Sequence, residues 1–107
     1  MKIKKEIERL IDQCLETDYS QPKSVNKHNR LVVEIRKLIE TIDDDKIKIE
    51  LLNDNKTNNW AAFQLLEAPE KCSIAVYKLS INILKLISKI GSSEALAAKW
   101  RLKELEK

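Results

Sequence analysis

Histidine and cysteine, the residues that most often catalyse reactions or bind transition metals, are scarce in this chain. His28 is the one histidine, and Cys14 and Cys72 are the two cysteines. No Cys-x-x-Cys pair and no Cys/His cluster surrounds either thiol, so the sequence predicts no metal site. We interpret both cysteines as small buried apolar residues of a protein in a reducing compartment. A disulfide, or an approach of His28 to one thiol in space, is the alternative.

His28 lies between Val25 and Val32 on the apolar side of a predicted helix. That position is typical of a core or boundary histidine with a local hydrogen bond, and a catalytic base is the alternative. The chain has a single glycine, which argues against the glycine-rich loops that hold phosphate groups. The sequence therefore predicts neither an enzyme nor a cofactor-binding protein.

Carboxylates are the abundant polar groups in the middle of the chain. From Asp43 to Glu70 there are three Lys or Arg and seven Asp or Glu, which leaves a net charge of −4. Asp43, Asp44 and Asp45 are explained first as the start of a helix, where carboxylates cap backbone N–H groups. The segment "DDDKIKIE" lacks the ligand spacing and the glycine of a calcium-binding loop.

We predict that these acidic residues form a contact surface for a protein partner. An anionic surface attracts a basic protein, such as a nuclease toxin, and would cover its phosphate-binding groove. The predicted contact residues are Asp43, Asp44, Asp45, Glu50 and Asp54. For each residue taken singly, a solvated polar face without a partner is the alternative.

Two other binding modes stay open. The segment from Lys71 to Lys107 has eight Lys or Arg and three Asp or Glu, a net charge of +5, and a basic helical surface can bind nucleic acid. The side chains concerned are Lys78, Lys85, Lys89, Lys99, Arg101 and Lys103. The third mode is self-association through an uncapped end of the helical stack.

Composition predicts the architecture that must position these residues. A length of 107 residues, 35% charged residues, one glycine and two prolines indicate one all-helical domain, residues 1–107. The opening segment "MKIKKEIERL" lacks the apolar core of a signal peptide, and no run reaches the roughly 18 apolar residues that span a bilayer. We therefore expect a soluble, cytoplasmic protein.

Apolar residues at spacings of three and four predict five or six antiparallel helices. The first predicted helix ends near Thr17, the second runs from Pro22 to about Ile42, and the third is capped within Asp43–Asp45. The fourth is capped by Asn58 or Asn59 and ends at Ala68. The fifth starts near Pro69 and ends at Ile90, with Gly91 as a left-handed C-cap, and the sixth runs through Leu105. The fifth helix is apolar over more than half of its circumference. We expect it to be the central helix of the C-terminal half.

Two segments, "WAAFQLLE" and "LAAKWRLKELE", share an alanine pair followed by a leucine. Ala97 follows Ala61 by 36 residues, and Leu102 follows Leu66 by the same number. This offset favours a helix pair repeated along a stack, in which small residues let neighbouring backbones approach. A plain helical bundle is the alternative.

The chain resembles the HEAT-like helical repeat proteins, in particular a small bacterial family known as domain of unknown function two thousand and nineteen. The resemblance rests on "NKHNRLVVEI", "WAAFQLLE" and "ALAAKWRLKEL". It implies a short right-handed superhelix of antiparallel helices, without catalytic residues. Some members of such families sit beside secreted bacterial toxins and look like immunity proteins, which implies a toxin-binding role. The segment "DDDKIKIE" matches no motif of the family.

Overall fold

The computed structural model describes residues 2–18, 20–91 and 93–105, and within these ranges it is helical throughout, without strands. This confirms the all-α prediction. The helices are α1 (Lys2–Leu15), α2 (Pro22–Glu40), α3 (Asp45–Asn53), α4 (Asn58–Leu65), a 3₁₀ helix (Pro69–Lys71), α5 (Ile74–Lys89) and α6 (Ser93–Leu105). None of the described helices is long and apolar enough to cross a bilayer. The HEAT-like superhelix stays a prediction.

The chain divides into two compact units, with the boundary between Asp43 and Asp44. In the first unit, α1 and α2 pack against each other. Proline suits the first turn of α2 because the N–H group that Pro22 lacks has no helical partner there. The buried apolar residues of this hairpin are Ile7, Leu10, Ile11, Cys14, Leu31, Ile35 and Ile39.

In the second unit, α5 packs against α3, α4 and α6, which confirms its predicted central position. One side of α5 is fully covered, and its buried residues are Val76, Ser80, Ile83, Leu84 and Ile87. Its apolar surface is nevertheless wider than its covered surface. Leu86, Ile90 at the end of the helix and Ile74 at its start are 62%, 60% and 76% exposed.

The structure corrects four predicted helix ends in this unit. The end of α4 is Leu65 and not Ala68. Pro69 begins a single 3₁₀ turn, and α5 starts later, where the Ser73 hydroxyl accepts a hydrogen bond from the Val76 N–H (3.2 Å). The N-cap of α4 is Thr57 and not Asn58 or Asn59. Gly91 does not adopt a left-handed conformation, because α5 ends in extended backbone at Ile90.

Candidate functional site

His28 lies near the end of α1, where the Thr17 hydroxyl links its imidazole to the backbone carbonyl of Cys14. The Thr17 hydroxyl donates to the Cys14 carbonyl (2.7 Å) and lies 2.9 Å from Nδ1 of His28. Which of the two groups donates in the second bond depends on the tautomer of the imidazole. His28 is half-buried with a local hydrogen bond, as predicted.

Neither thiol is arranged for nucleophilic or metal chemistry. Cys14 is buried and Cys72 is half-buried, and both are free thiols. Burial raises the pKa of both thiols, which keeps them in the unreactive protonated form near neutral pH. Among the described residues, no three side chains of His, Cys, Asp or Glu come together as ligands for a metal ion.

Two of the predicted acidic contact residues cap the ends of α3. The Asp44 carboxylate accepts from the Lys46 N–H (2.9 Å) at the first turn. Asp54 ends the helix, and its carboxylate accepts from the Lys56 N–H (2.9 Å). The first turn of a helix has N–H groups without helical partners, and the Asp44 carboxylate accepts from one of them. The Asp54 carboxylate makes a local turn just beyond the helix.

The other three predicted residues are exposed. Asp45 lies 3.9 Å from the ammonium group of Lys48, whose side chain is largely buried. Glu50 is exposed on the outer side of α3, and Asp43 is exposed in the first unit. The nine residues of α3 lie between Asp44 and Asp54, which separates the two residues by about 15 Å along the helix axis.

The other candidate surface lies on α6, whose orientation is fixed by contacts to α4 and α5. Asn59, at the start of α4, donates to the Glu94 carboxylate at the start of α6 (3.0 Å). Glu67, just beyond the end of α4, forms an ion pair with Arg101, two turns into α6. Because start meets start and end meets end, α4 and α6 run in the same direction.

Alanines form the covered side of α6. Ala98 is fully buried and Ala95 is 8% exposed, and α6 packs against α5. In α4, Ala61 and Ala62 are likewise fully buried. Small side chains let helices approach closely, so Ala95 and Ala98 suit the side of α6 that packs against α5. The alanine pairs are not fully equivalent, because Ala97 is exposed.

Two large apolar residues of α6 lie on its opposite side. Leu96 and Trp100 are each 64% exposed. At 3.6 residues per turn, both lie about 160° around the helix axis from Ala98. They are one turn apart and therefore adjacent to each other. We call these two residues, with the exposed Lys99 and Lys103 beside them, the outer face of α6.

The exposed lysines of α5 and α6 differ from the carboxylates of α6, each of which has a hydrogen-bonding or ionic partner among the described residues. Glu94 is hydrogen-bonded to Asn59, and Glu104 lies 3.3 Å from Arg101. Arg101, predicted to contact nucleic acid, is thus held by carboxylates of its own chain. The described residues supply no carboxylate within ion-pair distance of the exposed lysines Lys78, Lys85, Lys89, Lys99 and Lys103.

Comparisons with known proteins identify no relative of this chain. No family model, curated protein or solved structure matches this chain. The resemblance to a HEAT-like family stays a prediction.

The outer face of α6 was not singled out from the sequence. Leu96, Trp100 and the alanines all appeared to belong to one apolar helix, and hydrophobicity alone favours turning the larger residues inward. The usable signal was the spacing: Ala95, Ala98 and Leu102 form one stripe at intervals of three and four, and Leu96 and Trp100 form another. An alanine stripe beside a leucine–tryptophan stripe indicates two contact surfaces.

Proposed function

We propose that this chain is a non-catalytic protein-binding module that contacts its partner through the outer face of α6. The observation that carries the proposal is the exposure of Leu96 and Trp100, 64% each. Covering a large apolar side chain contributes about 1.5–3 kcal/mol, and tryptophan is among the residues that most often dominate protein interfaces.

The specific role that we propose is neutralisation of a partner protein, such as a cognate toxin, in the cytoplasm. The resemblance to families with immunity-like members supports the role, and the two free thiols suit a reducing compartment. The predicted acidic contacts enter this proposal in reduced form. Asp43, Asp45 and Glu50 remain as exposed carboxylates to attract a basic region of the partner, whereas the carboxylates of Asp44 and Asp54 accept hydrogen bonds from nearby backbone N–H groups.

The test uses the protein encoded by the gene adjacent to this one. Its expression should arrest growth and co-expression of this chain should restore growth. Calorimetry with the purified pair should give saturable binding. The double variant Leu96→Ala/Trp100→Ala should weaken that binding by roughly 30-fold. This corresponds to a loss of about 2 kcal/mol of binding free energy, which is typical of removing one tryptophan at the centre of an interface.

Two control variants make the result specific. Leu15→Ala removes a leucine that is 79% exposed on α1 and should leave the affinity unchanged. Asp43→Asn/Glu50→Gln measures the contribution of the acidic residues, which we expect to be less than threefold in affinity. Absence of binding, together with absence of growth rescue, would contradict the proposed function.

A second candidate function is nucleic-acid binding, favoured by the lysine stripe of α5. Lys78, Lys85 and Lys89 are exposed on one side of the helix, over about 16 Å. Lysines without carboxylate partners are available to phosphate groups.

Fluorescence anisotropy with labelled duplex and single-stranded DNA tests this candidate. Contact with three phosphates predicts a slope of roughly −2 to −3 for the logarithm of the affinity against that of the salt concentration. The variant Lys78→Glu/Lys85→Glu/Lys89→Glu should abolish binding. No anisotropy change at low salt would exclude it.

A further inference from the structure

The outer face of α6 combines an apolar pair with a basic edge. Leu96 and Trp100 form the apolar pair, and Lys99 and Lys103 follow one side of it, also one turn apart. We propose that this face binds an acidic amphipathic helix of a partner protein. The inference rests on the proposed protein-binding function and specifies the chemistry of its partner.

The apolar pair has the geometry for contact with a helix. Side chains four residues apart form a ridge along a helix surface, and such ridges pack into the grooves of a second helix. A partner helix with apolar residues at intervals of three and four would cover Leu96 and Trp100 together. Covering both as a unit requires an occupant about one helix wide.

The basic edge determines the charge of that partner. Glu94 and Glu104, the carboxylates nearest in the described part of α6, are engaged with Asn59 and Arg101. Lys99 and Lys103 have no carboxylate within ion-pair distance among the described residues, and they place positive charge beside the apolar pair. Acidic residues one turn apart on a partner helix would lie opposite them, and this complementarity raises the association rate and selects against basic partners.

Two other occupants fit less well. A second copy of this chain would bring Lys99 and Lys103 of both copies to the same region, where like charges repel. Nucleic acid would find positive charge and the Trp100 ring for stacking, but Leu96 offers neither a stacking surface nor a hydrogen bond. Both occupants are outcomes of the test below.

The probes are two fluorescein-labelled peptides of about 18 residues, long enough to form helix when bound. They share one leucine stripe at intervals of three and four. One has glutamates beside the stripe, and the other has lysines at the same positions. Anisotropy should show the acidic peptide binding the full-length chain at least tenfold more tightly than the basic peptide, with a difference that shrinks as salt increases.

Variants of the chain separate the apolar contribution from that of charge. Leu96→Ala/Trp100→Ala should weaken acidic-peptide binding at least tenfold. Lys99→Glu/Lys103→Glu should reverse the preference in favour of the basic peptide. The matched control, Lys78→Glu/Lys85→Glu, makes the same charge change on α5 and should preserve the preference. Thermal unfolding of each variant establishes that it is folded.

Each outcome distinguishes the inference from the function on which it rests. If both peptides bind equally through Leu96 and Trp100, the acidic-partner inference is wrong and the protein-binding function stands. The inference is wrong if neither peptide binds, or if Leu96→Ala/Trp100→Ala leaves the peptide affinity unchanged. In either case, calorimetry with the adjacent gene product tests the protein-binding function separately. A dimer in sedimentation equilibrium that Trp100→Ala dissociates, or single-stranded DNA binding lost in that variant, would overturn the inference in favour of that occupant.

Discussion

The acidic residues around α3 and the basic residues of α5 and α6 look alike in sequence, but their environments differ. Asp44 and Asp54 lie at helix ends and accept hydrogen bonds from backbone N–H groups. Lys78, Lys85 and Lys99 lie within helices, where the backbone already bonds to itself. A cluster of like charge therefore indicates a binding surface only when its residues are not already hydrogen-bonded to the backbone at nearby helix ends.

The largest expected effect sharpens the contrast between the two sides of α6. Ala98→Leu inserts a larger side chain into the fully buried contact with α5 and should lower the free energy of unfolding by about 1–3 kcal/mol. Ala97→Leu makes the same change at the exposed neighbouring position and should remain within about 0.5 kcal/mol of the wild type. Urea denaturation measures both. Equal losses would mean that α6 is oriented differently.

The next effect tests whether the acidic residues serve the fold. Asp44→Ala removes the N-cap of α3 and should destabilise the chain by about 1 kcal/mol. Asp43→Ala, one residue earlier, removes an exposed carboxylate and should change stability by less than about 0.5 kcal/mol. Thermal or urea unfolding decides between them. If Asp43→Ala were the more destabilising, the capping role assigned to Asp44 would be wrong.

A smaller effect on stability is expected at the outer face of α6. Leu96→Ala and Trp100→Ala should each alter the free energy of unfolding by no more than about 0.5 kcal/mol, because both side chains are mainly in water. The same variants weaken partner binding strongly if the proposal is right. A large loss of stability in calorimetric unfolding would instead assign these residues to the fold.

The smallest expected effect is a loss of stability at alkaline pH. It concerns the Cys72 thiol and the nearby Lys48 of α3. Burial raises the pKa of the Cys72 thiol, and the nearby Lys48 charge lowers it in part. The folded thiol stays protonated, whereas an unfolded thiol ionises from about pH 8.5. This contribution to stability is thus present below about pH 8.5 and is lost as the pH rises through the raised pKa of the folded state.

Alkylation by iodoacetamide, followed by mass spectrometry of the Cys72 peptide, measures that pKa. Reaction at pH 8.5 should be slower in the folded chain than in urea. Lys48→Met should slow it further, because removing the positive charge raises the thiol pKa. Faster reaction in Lys48→Met would show that the Lys48 charge does not act on the thiol.

Much of the fold followed from local physical chemistry. Pro22 fixed the start of α2, the carboxylate run supplied the cap at Asp44, and the wide apolar surface of α5 placed it at the centre of its unit. The predicted single domain stays a prediction beside the two compact units.

The predicted cap of α4 was wrong because the side chains near its start bond to other helices and not to their own helix end. Thr57 is the N-cap of α4, and its buried hydroxyl bonds the Leu51 carbonyl (2.7 Å) instead of the helix start. Asn59, predicted as a cap, bonds Glu94 across to α6.

The candidate site was predicted less well than the fold. Charge counting selected carboxylates that proved to be partly engaged in capping, and it included Arg101, which is held by Glu67 and Glu104. The lysines of α5 lie exposed, as their spacing indicated. Leu96 and Trp100 could not be placed, because two stripes on one helix each satisfied the apolar spacing, and only packing against α5 decided which one was covered.

The central claim is that partner binding covers the outer face of α6, and quenching of Trp100 fluorescence tests it most directly. Trp60→Phe leaves Trp100 as the one tryptophan of the chain. In the free protein, acrylamide should quench its emission strongly, because the side chain is 64% exposed. Saturation with the adjacent gene product should reduce the quenching constant at least threefold. Saturable binding with unchanged quenching would show that the partner binds elsewhere and would contradict the account.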